Sequence, residues 1–283
     1  MKKFKEISAK LFFLLCATVS ILAVLLICLF LFVKGFPAMK EIGLFKFLGG
    51  IKWKPMQNLY GLLPMIIGSI YVTAGAMLVG VPIGLLCAVF MARFCPKPMY
   101  RFLKPAVNLL AGIPSIVYGF FGLVVIVPAM RAMFGGSGKN VLTASVMLGI
   151  MILPTIISVC ESSLNAVPQS YYEGALALGA THERSVFKAV LPAAKSGVLA
   201  GVVLGIGRAI GEAMAVSMVA GNTAIIPKSI FDGVRTLTSN IILEMGYATD
   251  LHRGALIATG VVLFVFILII NLSLSLLKRG NKA

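Results

Sequence analysis

The chain has 283 residues, 59% of them hydrophobic and 12% charged, with a mean hydropathy of +1.02. That balance excludes a soluble globular domain and describes an integral membrane protein. The net charge of +16 would point to nucleic acid in a soluble protein, but these basic residues sit in short segments flanking apolar runs, where headgroups and topology use them.

The first apolar run, 11–33, follows Lys2, Lys3, Lys5 and Lys10. It is longer than the apolar region of a signal peptide, so a retained first span is expected. Residues 34–61 read as a polar loop in which Trp53 and Tyr60 anchor at the interface. The uncharged run 62–92 is too long for a straight crossing and is expected to tilt, bend or break, with Pro82 between Gly80 and Gly84 as the place. Arg93, Lys97, Arg101 and Lys104, with Pro96 and Pro98, read as a short basic loop before a third span at 106–130 interrupted by Gly112, Ile113 and Pro114. A Gly-rich turn precedes a fourth span at 141–160. The fifth and sixth spans are expected at 197–226 and 254–277, and Lys278, Arg279 and Lys282 close the chain. Lys and Arg are more numerous on the side of the two termini, which places both termini in the cytoplasm. The five cysteines lack metal or CxxC spacing and read as small hydrophobes; His182 and His252 read as solvated or locally bonded. No metal and no cofactor are expected.

Two stretches carry the chemistry. The first is the charged insert 170–192. Ser170 with Glu173 three residues on has the spacing of a capping box, Gly179 suits a left-handed helix end, Thr181 can cap a second helix, and Pro192 stops that helix or starts the next element. Helix, Gly turn and amphipathic helix make a shape for docking into a partner's groove; an ordinary hairpin is the alternative. The second is Arg208 and Glu212 inside the fifth span, where ionised side chains cost about 2.5 kcal/mol or more and need partners. Their spacing of four predicts one helical face and a mutual pair. Gly201 and Gly205 continue that face, and Gly207 and Gly211 open a second face to close helix packing. A structural ion pair and a transport role both remain open, since a guanidinium is also the group that matches an oxyanion.

Glu173, Ala175, Gly179, Leu191 and Pro192 are spaced as in the EAA loop of ABC importer permeases, which the chain resembles, although Gly174 and Ala189 depart from the usual residues. The run Gly207 to Glu212 with Met214, Ala215, Val216, Gly221 and Asn222 is similar to the C-type permease subunit of the bacterial phosphate (Pst) ABC importer. Ile113 to Gly119, Trp53 to Pro55 and Tyr60 to Pro64 are similar as well, so the likeness covers most of the chain.

The resemblance implies an all-α integral membrane protein of six transmembrane helices with the type I importer permease (MetI-like) fold, set in the bacterial plasma (inner) membrane. It implies three regions: 1–61, an N-terminal helix and external loop; 62–277, the permease core with a cytoplasmic coupling loop at 161–196; and 278–283, a basic tail. The implied partners are an A-type permease in a heterodimer, two copies of an ATP-binding subunit and an external phosphate-binding protein, besides membrane lipid and without nucleic acid. The chain itself would be non-catalytic. Arg208 and Glu212 match the family's intramembrane charged pair and are expected in the substrate pathway; Glu173, Ala175, Gly179, Phe187, Leu191 and Pro192 are expected to couple to the ATPase. Another oxyanion such as molybdate or sulfate, a secondary transporter or channel, and a membrane enzyme are the alternative readings.

Overall fold

The structure is a computed structural model describing residues 2–280, so the last three residues of the expected basic tail, Lys282 among them, lie outside the described residues. Helix α1 (Lys2–Ile42) runs straight past the expected loop start at Lys34 and through Pro37. Packing on the last helix carries it: a Cβ on Gly35 would meet Val261 Cγ2 at 2.8 Å, and Ala38 and Met39 are buried. Helix α2 (Leu44–Gly49) and a two-stranded hairpin, β1 (Trp53–Lys54) with β2 (Leu59–Tyr60), follow, with Trp53 opposite Tyr60. Asn58 turns the hairpin at φ +53.

Helix α3 (Leu63–Val89) continues through a π turn at Phe90–Phe94 and does not break at Pro82. The glycines around Pro82 serve close packing instead: a Cβ on Gly80 would meet Ile152 at 2.7 Å, and one on Gly84 would meet Ile156 at 2.9 Å, both on α7 (Val141–Asn165). The neighbouring helix thus holds α3 through the proline.

The expected basic loop is also helical. Pro96 caps α4 (Lys97–Gly112) in an extended conformation and Pro98 stands in its first turn, where a missing N–H costs nothing. The third span therefore begins later than expected, at α5 (Ser115–Phe121), and reaches α6 (Val127–Phe134) through a π turn. Gly135, Gly136 and Gly138 all have positive φ, and Asn140 Oδ1 then caps α7 by accepting from Thr143 N at 2.8 Å.

Helix α7 is the centre of the bundle, with α3 on one side and α11 (Lys195–Gly211) on the other. Its Met147, Leu148, Met151, Ile152 and Ile156 are each no more than 1% exposed. Between α7 and α11 stand α8 (Gln169–Ala177), α9 (His182–Ser185) and α10 (Leu191–Ala193); beyond α11 come α12 (Met214–Val219), α13 (Leu237–Glu244) and α14 (Asp250–Gly280). Among the described residues five helices are long and apolar enough to cross a membrane: Ala9–Ile42, Leu63–Phe94, Ser115–Phe134, Val141–Asn165 and Asp250–Ser273. A sixth is reached by counting His182–Ala193 with Lys195–Gly211, a pair bent by 71°.

Candidate functional site

The fifth span is not the continuous helix that its composition suggests. Helix α11 stops at Gly211, Glu212 is extended (φ −73, ψ 126), and α12 restarts two residues later. Glu212 is the C-cap of α11, and its side chain turns to the next helix and not back to Arg208. Among the described residues the ion pairs are Lys104–Glu161 and Arg235–Glu244, His252 shares a hydrogen bond with Glu244, and Arg208 and Glu212 are not joined. Arg208 instead donates from Nη1 to Thr155 Oγ1 on α7 at 3.2 Å. Glu212 caps α12, its Oε1 accepting from Ala215 N at 3.1 Å, while its carbonyl accepts from Thr238 Oγ1 at 2.8 Å. A carboxylate at the start of α12 and a guanidinium in the last turn of α11 each suit the local helix dipole.

The two glycine pairs of α11 separate cleanly. A Cβ on Gly201 or Gly205 would meet Cys160 Sγ or Ile156 Cγ1 of α7 at 2.9 Å, so that face is packed. A Cβ on Gly207 or Gly211 would meet nothing within 4 Å, so this second face is unoccupied in the single chain. Arg208 and Glu212 are both part exposed.

The insert forms helix, turn and helix, with one correction. The capping box of Ser170 and Glu173 is absent: Pro168 is the N-cap of α8, which places Ser170 inside the first turn. Pro192 stands in the first turn of α10, the start of a next element, and the 71° bend into α11 falls at Ala194. Gly179 takes φ +82 and has open space around it, and Thr181 Oγ1 caps α9 by accepting from Arg184 N at 3.4 Å. Glu183's carboxyl is held below its usual range, first by a hydrogen bond to its own backbone N–H and then by Thr181.

The inner side of the insert rests on the bundle: Val186, Val190 and Ala194 pack with Val89 and Leu164, with Leu191 and Tyr172 beside them. Tyr172 Oη and His182 Nδ1 share a hydrogen bond of 2.8 Å, and His182 stands edge-on to Phe94 with centroids 4.6 Å apart. The outer side is apolar and bare. Leu178 is 91% exposed and Tyr171, Leu176 and Phe187 are also exposed. Of the expected coupling residues, Glu173, Gly179, Phe187 and Pro192 lie exposed, while Ala175 and Leu191 are part buried.

Residues 80–282 match the family described as "Binding-protein-dependent transport system inner membrane component". The chain belongs to this family. It is 40% identical to the probable ABC transporter permease protein YqgH of Bacillus subtilis, over 95% of this chain and 91% of that one. It is 34% identical to the phosphate transport system permease protein PstC of Mesorhizobium japonicum, over 85% of this chain and 80% of the relative. The inward-facing methionine ABC transporter MetNI shares the fold, with a TM-score of 0.62 at 21% identity, over 82% of this chain and all of that one. The protein is thus a multi-pass membrane permease of the ABC type with a MetI-like helical fold, a non-catalytic component of a multi-subunit transport system.

Two polar hubs in this permease escape a reading of the sequence. At the end of the bundle that carries the hairpin, buried Glu244 accepts from Trp53 Nε1 and His252 Nε2, both at 2.8 Å through Oε2, and from Arg235 Nη1 at 2.6 Å through Oε1. Trp53 is therefore buried and not an interfacial anchor, and His252 is locally bonded. Tyr60 and Tyr247 stand tilted beside the same histidine, with centroids 6.1 and 6.0 Å away. At the insert end, Glu161, 1% exposed, accepts from Tyr100 Oη and Lys104 Nζ, both at 2.6 Å. Glu161 stands at the edge of an apolar run, and Lys104 precedes it by 57 positions. The signal available was the cost of an unpaired carboxylate there.

Proposed function

We propose that this permease is the C-type subunit of an ATP-driven importer that moves inorganic phosphate into the cytoplasm, paired with an A-type permease, two ATP-binding subunits and an external phosphate-binding protein. The observation that carries the reading is the insert: a bare apolar tip at Leu178 and Phe187, rigidly seated on the bundle by Val186 and Val190, and continuous through a single bend with the broken fifth span. ATPase subunits gripping this tip would swing α9 and α10 as one body and tilt α11 through the bend at Ala194. The partners supply the ATP hydrolysis, and both termini face the cytoplasm with the insert.

Phosphate as substrate is supported by the relatives named PstC. Arg208 and Glu212 belong to the pathway in separate roles. Arg208, held by a neutral hydroxyl and not by a carboxylate, keeps a charge and spare donors for an oxyanion. Glu212 holds the helix break that exposes backbone to the pathway. A secondary transporter or channel has no use for the bare tip, which disfavours that class.

The test is uptake by vesicles reconstituted with all four kinds of subunit, with labelled phosphate, sulfate or molybdate on offer. ATP-dependent phosphate uptake is expected. Preferential sulfate or molybdate uptake would replace the substrate, and uptake without ATPase subunits would overturn the importer reading.

A further inference from the structure

Helix α4, at 16 residues, is shorter than the roughly 20 needed to cross a bilayer. Its residues fall into three stripes. Tyr100, Leu103 and Val107 face the bundle, packed with Met91 and Ile157. Phe102 and Leu109, 75% and 73% exposed, lie on the opposite side. Between the two stripes, at i and i+4, stand Lys97 and Arg101, both exposed and in none of the ion pairs among the described residues. This is the pattern of a helix lying in the membrane surface, apolar residues in the acyl layer and cations at headgroup level. Tyr100 and Lys104 fix it there by their bonds to Glu161.

A cleft of about 310 Å³ opens beside the start of α4, between the end of α3 and the end of α7. Met91, Cys95, Lys97, Tyr100, Arg101 and Asn165 line it, so its walls carry two cations and no carboxylate. The cleft is at the end of the bundle that carries the insert, since α7 runs directly into it.

We propose that this cleft holds the headgroup of an anionic phospholipid, with Lys97 and Arg101 on the phosphate and the acyl chains running past Phe102 and Leu109. A free anion would use the cations alone; the bare apolar stripe on the same helix is what calls for a lipid. The lipid ties the surface helix to the bilayer one turn from the Tyr100–Glu161 bond, and so steadies the end of α7 from which the insert departs. The assignment rests on the membrane placement of the chain and not on the transported substrate.

The assembled importer in detergent is titrated with phosphatidylglycerol or with phosphatidylcholine of equal chain length, and bound lipids are counted by native mass spectrometry. Phosphatidylglycerol is expected to fill one site that phosphatidylcholine does not. Lys97→Gln with Arg101→Gln should weaken that site about thirtyfold, two basic contacts' worth. Lys195→Gln, a charge removed elsewhere at the same end, should leave it intact, and Lys97→Arg with Arg101→Lys, which keeps both charges, should bind as the parent does. Equal binding of the two lipids overturns the proposal. So does unchanged binding in the double Gln variant, which would mean that the lipid is held elsewhere on the assembly. Displacement of the lipid by millimolar inorganic phosphate would also overturn it in favour of a free-anion site.

Discussion

Trp53 and Glu244 lie 191 positions apart in the chain and share a buried hydrogen bond of 2.8 Å. That bond joins the hairpin after α1 to α13, and the carboxylate also holds Arg235 of the loop before α13 and His252 of α14. Four segments meet on one side chain. Replacing Glu244 by Ala takes the carboxylate from the part-buried Arg235 guanidinium, which keeps Asn222 O and Asn240 Oδ1, and should cost about 1.5 to 3 kcal/mol. Thermal unfolding in detergent checks the magnitude. Trp53, the only tryptophan, gives a local reading: its emission should shift to the red as its indole N–H loses its partner.

A second prediction concerns pH. Tyr100 donates to Glu161, and that bond to a carboxylate, with burial next, raises the phenol above its ordinary value. A raised value means that the bond's contribution is whole below the usual tyrosine pKa of about 10 and disappears as pH climbs through the folded value. Stability should therefore fall on the alkaline side. Tyr100→Phe should remove that part of the fall and cost about 1.5 to 3 kcal/mol at neutral pH, as expected for a hydrogen bond to a charged group. Unfolding midpoints between pH 7 and 11 for both proteins test it.

The third prediction uses the turn of the insert. Gly179 takes φ +82 with open space around it, so Gly179→Val is opposed by backbone strain alone and not by a clash. The variant should enter the membrane and melt like the parent, yet co-purify with less ATPase subunit and lose most uptake. Normal co-purification and uptake together would refute the docking role.

The fourth prediction follows from the broken fifth span. Because Arg208 bonds Thr155 and Glu212 caps α12, exchanging the two residues, Arg208→Glu with Glu212→Arg, should restore neither assembly nor uptake. Glu212→Gln keeps an acceptor for Ala215 and should cost about 1 kcal/mol or less. Arg208→Ala should abolish uptake while barely moving the melting temperature. Recovery of both properties in the exchanged variant would show that the two residues pair after all.

Much of this was legible in the residues, and what was not has a common cause. The apolar runs placed the spans because a bilayer reads hydrophobicity along the chain. Gly179 and Thr181 showed themselves because turns and caps are local. Helix lengths did not, since α1 passes Lys34 on the strength of its packing against Val261 and Ala258, and α3 passes Pro82 held by Ile152 and Ile156. The break at Glu212 was hidden for another reason: the GxxxG spacing of Gly207 and Gly211 makes Gly211 a packing residue as readily as a helix end, and only the structure shows the carboxylate turned to the next helix start. Tyr100 and Lys104 reach Glu161, and Trp53 reaches Glu244, across 61, 57 and 191 positions, too far for spacing to betray them.

The bare strip of α11 at Gly207 and Gly211 has a practical corollary. A methyl at either position meets nothing in this subunit and would favour the helix by up to about 1 kcal/mol. Any selection for a sturdier isolated chain would therefore enrich Gly207→Ala and Gly211→Ala. In the proposed heterodimer those methyls would stand where a neighbouring backbone approaches, so the chain best able to survive alone would be the one least able to find its mate.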